Sequence, residues 1–189
     1  ALLSDSTNAE RKGFTMSEAS VGKVFDKMFE NCKKRIIVAT FASNVNRVQG
    51  LVNLARKYGR KVAVSGRSME KMLEIARELD YIDAPDEMFV DLDLINNIED
   101  HRLLILTTGS QGEPMSALTR IAVGQHKKIK LQQNDLVVIS ATPIPGNEPS
   151  VSKVINSIMK RGVEVVYSSL EHIHVSGHAC QEEQKLLLE

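Results

Sequence analysis

The stretch Arg35-Ile36-Ile37-Val38-Ala39-Thr40-Phe41-Ala42-Ser43-Asn44 decides the fold, because a continuous apolar run leads directly into a polar loop. Continuous apolar runs of this length are typical of strands that are buried on both faces. The next segment, 45–58, repeats its apolar residues at helical spacing, and Gly59 suits the end of a helix. A buried strand joined to an amphipathic helix indicates a parallel sheet covered by helices.

The same alternation extends along the rest of the chain. Further strands are predicted over 61–64, 103–106, 136–139 and 162–166, with a weaker one over 88–90. Further helices are predicted over 17–33, 68–79 and 149–161. The pattern predicts an α/β fold, a Rossmann-like three-layer sandwich with a mainly parallel sheet. No repeat or linker interrupts it, so 1–189 is predicted to be a single domain.

Composition excludes several classes of protein. The 189 residues carry 24 Lys and Arg against 24 Asp and Glu, so the chain is not basic throughout, although a local basic face stays open. Only two cysteines are present, Cys32 and Cys180, which argues against a disulfide scaffold and favours a reducing, cytoplasmic environment. No apolar run approaches the roughly 20 residues of a membrane span.

Both ends of the sequence suggest a piece of a longer polypeptide. Ala1-Leu2-Leu3 resembles the end of a strand and has no initiator methionine. The segment 181–189 resembles a helix that stops abruptly. We therefore expect the chain to be a domain taken from a larger protein.

Polar or glycine-rich loops follow the predicted strands, and ligands of open α/β sheets bind at the carboxyl ends of strands. In one loop, Gly109-Ser110-Gln111-Gly112, followed by Glu113, can present backbone N–H groups to an anion beside a helix that starts near Pro114. It lacks the Gly-Lys-Ser/Thr ending of a P-loop. A tight turn with a helix cap is the alternative.

Two other loops offer candidate phosphate contacts. Ser43 and Asn44 follow one strand and Arg67 follows the next, each just before a helix. Ser and Asn are also common helix caps, whereas an arginine at this position suits bidentate binding of phosphate. Phe41 lies in the same kind of loop and is a candidate platform for base stacking.

The segment His174-Val175-Ser176-Gly177-His178 carries the densest cluster of hydrogen-bonding side chains in a predicted loop. Histidine and serine there can bind phosphate oxygens, and a histidine can also titrate near neutral pH. A purely structural role for the two histidines is the alternative. Asp5 lies between Ser4 and Ser6 and can orient a histidine or form a local turn.

Charge is distributed unevenly along the chain. The stretch 80–100 carries eight acidic residues and no Lys or Arg, so it should face away from a polyanion. Arg120, Lys127, Lys128 and Lys130 form a basic counterpart near His126. This run predicts either contact with a nucleic-acid backbone or a solvated surface.

Taken together, these segments resemble the bacterial ribonuclease J family, which are metallo-β-lactamase-fold nucleases with a β-CASP domain. The resemblance covers essentially the whole chain. The segments that carry it are 4–9, 39–44, 62–68, 107–116, 139–148 and 174–179. Asn46 is a minor departure, because the family pattern leads us to expect histidine there.

The resemblance implies a Rossmann-like insertion that caps the metal site and forms one wall of the RNA channel. It implies that Asp5 and His178 are catalytic motif residues and that His174–His178, including Val175, Ser176 and Gly177, form the substrate-phosphate loop. A place along the RNA path for Gly109–Glu113 is inferred only from position. The full-length parent is expected to be a 5′-to-3′ exoribonuclease and endoribonuclease in RNA processing and decay.

The resemblance also implies cofactors and partners. The parent is expected to hold two zinc ions, but this chain lacks the family's His-x-His-x-Asp-His motif, so we expect it to bind no metal and to cleave nothing alone. The expected partners are RNA, preferably 5′-monophosphorylated, the metallo-β-lactamase domain of the same polypeptide, and further copies in a homo-oligomer.

Two other classes stay open on the sequence alone. One is a Rossmann-type nucleotide-binding domain, although no dinucleotide fingerprint is present. The other is a protein-interaction module of an RNA-degrading assembly.

Overall fold

Five strands form one sheet in which every neighbouring pair is parallel. The computed structural model describes residues 3–171 and 173–188, so most of the strand end predicted at Ala1–Leu3 lies outside the described residues. The strand order is β2-β3-β1-β4-β5. The strands are β1 Arg35–Ala39, β2 Lys61–Ser65, β3 Leu103–Thr107, β4 Asp135–Ile139 and β5 Glu164–Tyr167.

Helices cover both faces of the sheet, which confirms the predicted α/β sandwich. The helices are α1 Glu18–Asn31, α2 Val45–Lys57, α3 Arg67–Glu78, α4 Ala117–Ala122, α5 Glu148–Met159 and α6 Gln181–Leu188. Because alternate strand residues face opposite sides, Ile36 and Val38 pack in one core with α1, α2 and α3. Ile37 and Ala39 pack in the other core with α4 and α5.

The weak strand predicted over 88–90 is the one clear departure from the predicted elements. Asp86–Met88 forms a short 3-10 turn instead, and only Phe89 forms an isolated parallel bridge, to Val62. Asp91 then turns the chain away, because its carboxylate accepts a hydrogen bond from the N–H of Asp93 at 2.8 Å. Met88 is buried and Phe89 and Val90 are partly buried, but the chain leaves the sheet after one bridge.

A buried ion pair joins the amino ends of β1 and β4. Arg35 Nε and Nη2 donate to the two carboxylate oxygens of Asp135 at 2.8 and 2.7 Å, and both side chains are almost fully buried. Removing one partner of such a pair typically costs about 3–5 kcal/mol. The pair fixes the alignment of the two strands whose opposite ends carry the site described below.

Among the described residues, no helix has both the length and the apolar character needed to span a membrane.

Candidate functional site

A cleft of about 860 Å³ opens at the carboxyl ends of β1, β4 and β5. Loops after these three strands and the N-terminal segment form its walls. Its lining includes Thr7, Asn8, Arg11, Met16, Glu18, Phe41, Ser43, Asn44, Asn46, Thr142–Pro145 and His174–His178. The cleft therefore brings together the predicted residues of two loops that are about 130 residues apart in the chain.

A histidine–carboxylate pair stands at one side of the cleft. His178 Nδ1 hydrogen-bonds to Asp5 Oδ2, and the other carboxylate oxygen of Asp5 accepts from Thr7 Oγ1 at 2.6 Å and Thr7 N at 2.9 Å. The bond from the Thr7 hydroxyl, followed by those from His178 and from the Thr7 N–H, holds the pKa of the Asp5 carboxyl well below its ordinary value. The ionised carboxylate favours a proton on His178 Nδ1. Within the described residues Nε2 of the same ring makes no hydrogen bond.

Ser176 is held in place by a buried asparagine. Asn8 is only 6% exposed, and its Nδ2 donates to Ser176 Oγ at 2.9 Å and to the carbonyl of His178 at 3.0 Å. The N–H of His178 also donates to Ser176 Oγ, at 3.1 Å. Because the hydroxyl oxygen already accepts two bonds, its hydrogen points away from both donors, and no acceptor for it lies among the described residues. Sequence reasoning missed this role of Asn8.

The segment that carries His178 is tied to the N-terminal segment by a carboxylate clamp. Glu183 Oε2 accepts from Thr15 Oγ1 at 2.6 Å, from Thr15 N at 2.9 Å and from Cys180 N at 2.7 Å. The Thr15 hydroxyl bond, followed by the Cys180 N–H, lowers the pKa of the Glu183 carboxyl. This clamp fixes the end of the segment that carries His178, at Cys180, and the start of α6.

Arg47 supports the floor of the cleft from below. The side chain is 2% exposed, and its guanidinium pairs with Glu18 and donates through Nη1 to the carbonyl of Ile173 at 2.9 Å. Ser140 Oγ donates to the same carbonyl at 2.6 Å. The start of the His174–His178 segment is thus pinned to α2 and to the end of β4. No local signal marks Arg47, because its partners are distant in sequence.

His174 lies between this arginine and an aromatic ring. Burial, and then the positive charge of Arg47, lower the pKa of His174, so the imidazole is neutral at pH 7. Its Nδ1 is buried and makes no hydrogen bond to the described residues. The ring centroid of Phe41 is 6.4 Å from that of His174, and Phe41 is only partly buried, so one part of its ring faces the cleft.

Ser43 and Asn44 differ in how far they are already engaged. Asn44 Oδ1 accepts from the N–H of Arg47 at 3.0 Å, so its side chain caps α2 as well as lining the cleft. Ser43 is exposed, lines the cleft, and its hydroxyl makes no hydrogen bond to the described residues.

Gly109–Gly112 lie behind the cleft wall rather than on its surface. All four residues are buried, and the N–H of Gln111 donates to Glu113 Oε2 while that of Gly112 donates to the carbonyl of Gly109. The Gln111 side chain instead reaches the next loop, donating to the Thr142 carbonyl at 3.0 Å and accepting from Ile144 N at 2.8 Å. The loop therefore supports the wall, which the sequence did not reveal.

Arg67 lies away from the cleft. It is exposed at the start of α3, after β2, which is the edge strand two places from β1 in the sheet. At the usual strand spacing this is a displacement of roughly 10 Å from β1. Arg67 shares the edge of the sheet with the cleft but is not part of its lining.

Part of the predicted basic run, and the histidine beside it, make contacts within the fold. Lys128 pairs with Asp93 at 2.8 Å and with Asp91 at 3.5 Å. His126 is buried, with Nε2 3.0 Å from Ser65 Oγ and Nδ1 accepting from Ile129 N at 3.0 Å, and burial lowers its pKa. These contacts involve one lysine of the run and the neighbouring histidine, and both interpretations of the run, contact with a nucleic-acid backbone or a solvated surface, stay open.

Over residues 3–171 and 173–188, no group of three or more His, Cys, Asp or Glu side chains is arranged to hold a metal ion.

Comparison with known proteins yields a consistent set of relatives. Residues 33–158 match the family model described as the β-CASP domain of ribonuclease J. The chain is 51% identical to Ribonuclease J of Helicobacter pylori over 187 residues, which is 99% of this chain and 27% of that protein. It is 54% identical to Ribonuclease J of Synechocystis (99% and 29%) and 45% identical to Ribonuclease J2 of Bacillus subtilis (100% and 34%). The chain thus spans about a third or less of the length of each of these relatives.

Proposed function

This chain belongs to the β-CASP domain family of ribonuclease J, and from that premise we propose that its cleft holds the leading end of an RNA strand. The observation that carries the proposal is the shared orientation of Ser176 and the Asp5–His178 pair at one cleft. A hydroxyl hydrogen, an imidazole nitrogen and the nearby Arg11 supply donors for a phosphate oxygen. Phe41 supplies an apolar face for the first base.

The remaining predicted residues are proposed to differ in how directly they contact the RNA. Ser43 and Asn44 border the cleft and are proposed to contact the RNA backbone. Gln111 is a positioning residue, because it holds the Thr142–Ile144 wall, and Gly109, Ser110, Gly112 and Glu113 shape the turn that carries it. Arg67 is proposed to meet RNA only beyond the cleft, along the same edge of the sheet.

The proposed parent is a cytoplasmic enzyme of RNA processing and decay that cleaves from the 5′ end and internally. We propose that the two zinc ions of the parent are held by its metallo-β-lactamase domain, where they would supply Lewis-acid assistance for phosphodiester hydrolysis. The residues of this chain bind and orient the strand. Positioning of this kind is a large catalytic contribution, since a displacement of about 1 Å can cost roughly 100-fold in rate.

The proposal is tested by binding of short RNA to the 189-residue chain. Fluorescence anisotropy should show tighter binding of a 5′-monophosphorylated oligoribonucleotide than of the same RNA with a 5′-hydroxyl, and the affinity should fall with added salt. Ser176→Ala should weaken binding of the phosphorylated RNA by about tenfold, because a hydrogen bond to a charged group is lost.

Ser157→Ala is the matched control, because that hydroxyl lies on α5 and donates only to the Lys153 carbonyl. Equal affinity for both RNA ends, or an equal loss in the Ser157 and Ser176 variants, would refute the proposal.

A further inference from the structure

We propose that the surface formed by α4 and α5 binds the phosphate backbone of an RNA strand outside the cleft, through contacts that do not depend on the 5′ end of the strand. The identity of this ligand rests on the proposed function. Three observations carry the inference: a local excess of cations without carboxylate partners, the meeting of two of them at one turn, and the continuity of this surface with a wall of the cleft.

Positive charge is concentrated in the segment that contains α4 and α5. Residues 117–163 carry seven Lys and Arg against two acidic residues, although the whole chain has no net charge. Of these two acids, Asp135 is buried in its pair with Arg35, and Glu148 accepts from Gly146 N at 2.7 Å at the start of α5. The segment therefore has no acidic side chain of its own that pairs with its surface cations.

Six of the seven cations also lack a carboxylate partner elsewhere among the described residues. Lys128 is the exception, because it pairs with Asp91 and Asp93. We call the other six the basic face: Arg120, Lys127, Lys130, Lys153, Lys160 and Arg161. All of them are exposed except Arg120, which is partly buried. Exposed cations without a bound carboxylate are available to phosphate oxygens.

Two members of the basic face meet at the turn that ends α4. Lys130 Nζ donates to the carbonyl of Gly124 at 3.1 Å, and Arg161 Nε donates to the carbonyl of Ala122 at 2.9 Å. The Arg161 guanidinium also lies against Gly124, because a Cβ built there would be 2.8 Å from Nη2. These bonds hold both side chains in place, so binding of a phosphate there costs less side-chain entropy.

The basic face continues from one wall of the cleft. The wall formed by Thr142–Pro145 leads directly into α5, which begins at Glu148. At about 1.5 Å per residue, Lys153 lies roughly 8 Å along this helix and Lys160 roughly 18 Å. Because the two lysines are seven residues apart, they project from the same side of α5. A strand whose leading end lies in the cleft can therefore continue over α5 toward the turn at Gly124.

Contacts of this kind select neither sequence nor strand end, because every nucleotide presents the same phosphate oxygens. The basic face would add affinity only for strands long enough to leave the cleft. The cleft would supply the preference for the 5′-monophosphate. Strand length and salt dependence therefore separate the two surfaces.

The experiment measures binding of RNA of two lengths to the 189-residue chain. The test variant combines Lys127→Gln, Lys153→Gln and Lys160→Gln, three exposed lysines on the basic face. It should bind a twenty-nucleotide strand at least tenfold more weakly at low salt, and the slope of log K against log salt should fall by about 2, since each contact with single strands contributes about 0.7. A 5′-monophosphorylated dinucleotide, held by the cleft alone, should bind as it does to the unchanged chain.

The matched control removes three exposed lysines from the opposite layer of the sandwich. It combines Lys23→Gln and Lys27→Gln on α1 with Lys71→Gln on α3, so the net charge changes by the same amount. Affinity for the twenty-nucleotide strand and the salt slope should stay close to those of the unchanged chain. Losses of equal size in the two triple variants would overturn the inference, because net charge rather than the basic face would then explain them.

Nuclear magnetic resonance of the ¹⁵N-labelled chain locates the contact. The Gly124 amide resonance should shift on addition of the twenty-nucleotide strand and stay unchanged with the dinucleotide. A Gly124 resonance that ignores the long strand would overturn the inference, and so would displacement of that strand by an equal concentration of polyglutamate of the same charge, which would assign the face to an acidic protein. A chain without 5′-end preference that keeps the length-dependent loss in the test variant would refute the proposed function and leave this inference standing.

Discussion

The side chain of Gln111 connects two loops by donating to the carbonyl of Thr142 at 3.0 Å, 31 residues further along the chain. Its amide oxygen accepts from the N–H of Ile144 at 2.8 Å, so both ends of the amide are engaged. Thr142 and Ile144 line the cleft, whereas Gln111 is 4% exposed and does not. One buried amide thus determines where a wall of the proposed RNA site stands.

Replacement of Gln111 by alanine should loosen this wall without removing any RNA-contacting group. We expect hydrogen exchange over 142–147 to accelerate, the free energy of unfolding to fall by about 1–3 kcal/mol, and the preference for 5′-monophosphorylated RNA to shrink. The exposed Gln125→Ala is the control. Unchanged end preference in a folded Gln111→Ala variant would show that the amide only stabilises the fold.

Gly112 is required by both its backbone and its surroundings. Its φ is +71°, and a Cβ built there would lie 2.5 Å from the carbonyl carbon of Ser150 at the start of α5. Gly112→Ala should therefore lower the free energy of unfolding by about 1–3 kcal/mol, measured by urea denaturation.

Gly50→Ala, on an open face of α2 with no atom within 4 Å, is the opposite case. It should raise the free energy of unfolding by about 0.5–1 kcal/mol. Equal effects at Gly50 and Gly112 would contradict this account.

Asp5 and His178 should behave as one unit in the proposed full-length parent. Asp5→Asn removes the charge that orients the imidazole, and His178→Ala removes the imidazole, so each should lower kcat/KM for RNA by roughly 100-fold or more. Because each single change already disables the pair, the double variant should lose little beyond either one. Full additivity in the double variant, or wild-type turnover after His178→Ala, would contradict the pairing.

Stability should fall as the pH is lowered from 7.5 to 5.5. Burial lowers the pKa values of His126 and His174 below the ordinary 6.5, so the unfolded chain takes up protons that the folded chain does not. Near pH 7.5 these imidazoles are largely neutral in both the folded and the unfolded chain, so their contribution to the pH dependence is small there. His126→Asn should make the decline shallower, whereas the exposed His101→Gln should not. A decline of equal slope in both variants would exclude His126 as its source.

The fold could be predicted because strands that are buried on both faces consist of continuous apolar runs, which are easily recognised in the sequence. Residues 35–39 are apolar apart from Arg35, which predicts a strand there, and the structure confirms it. The ends of strands were harder to predict. β4 begins at Asp135, whose charged side chain does not suggest a buried strand. It is buried because Arg35, 100 residues away in the chain, pairs with it. The weak strand at 88–90 was wrong because a turn at Asp91 outweighs local apolar character.

The site was predictable only where it follows strand ends. The loops with Phe41, Ser43 and His174–His178 came from that rule, and the structure brings them to one cleft. Asn8, Arg47 and Gln111 carried no comparable signal, because each acts through partners on distant segments, 168 residues away in the case of Asn8 and Ser176. Such partners become visible only once the chain is folded.

The bonds from Asn8 to Ser176 and from Thr15 to Glu183 also give the molecule a mechanical property. A load that separates the first 15 residues from the last helix would be borne by these side-chain bonds, and by the backbone bonds from Gln181 N to the Arg11 carbonyl and from Glu182 N to the Gly13 carbonyl, before it reached the sheet. Tension along that direction would then pull apart the walls of the proposed RNA cleft while the sheet and its covering helices stayed intact. Conversely, a ligand bound in the cleft would oppose this separation, so ligand binding should raise the force needed to rupture these contacts.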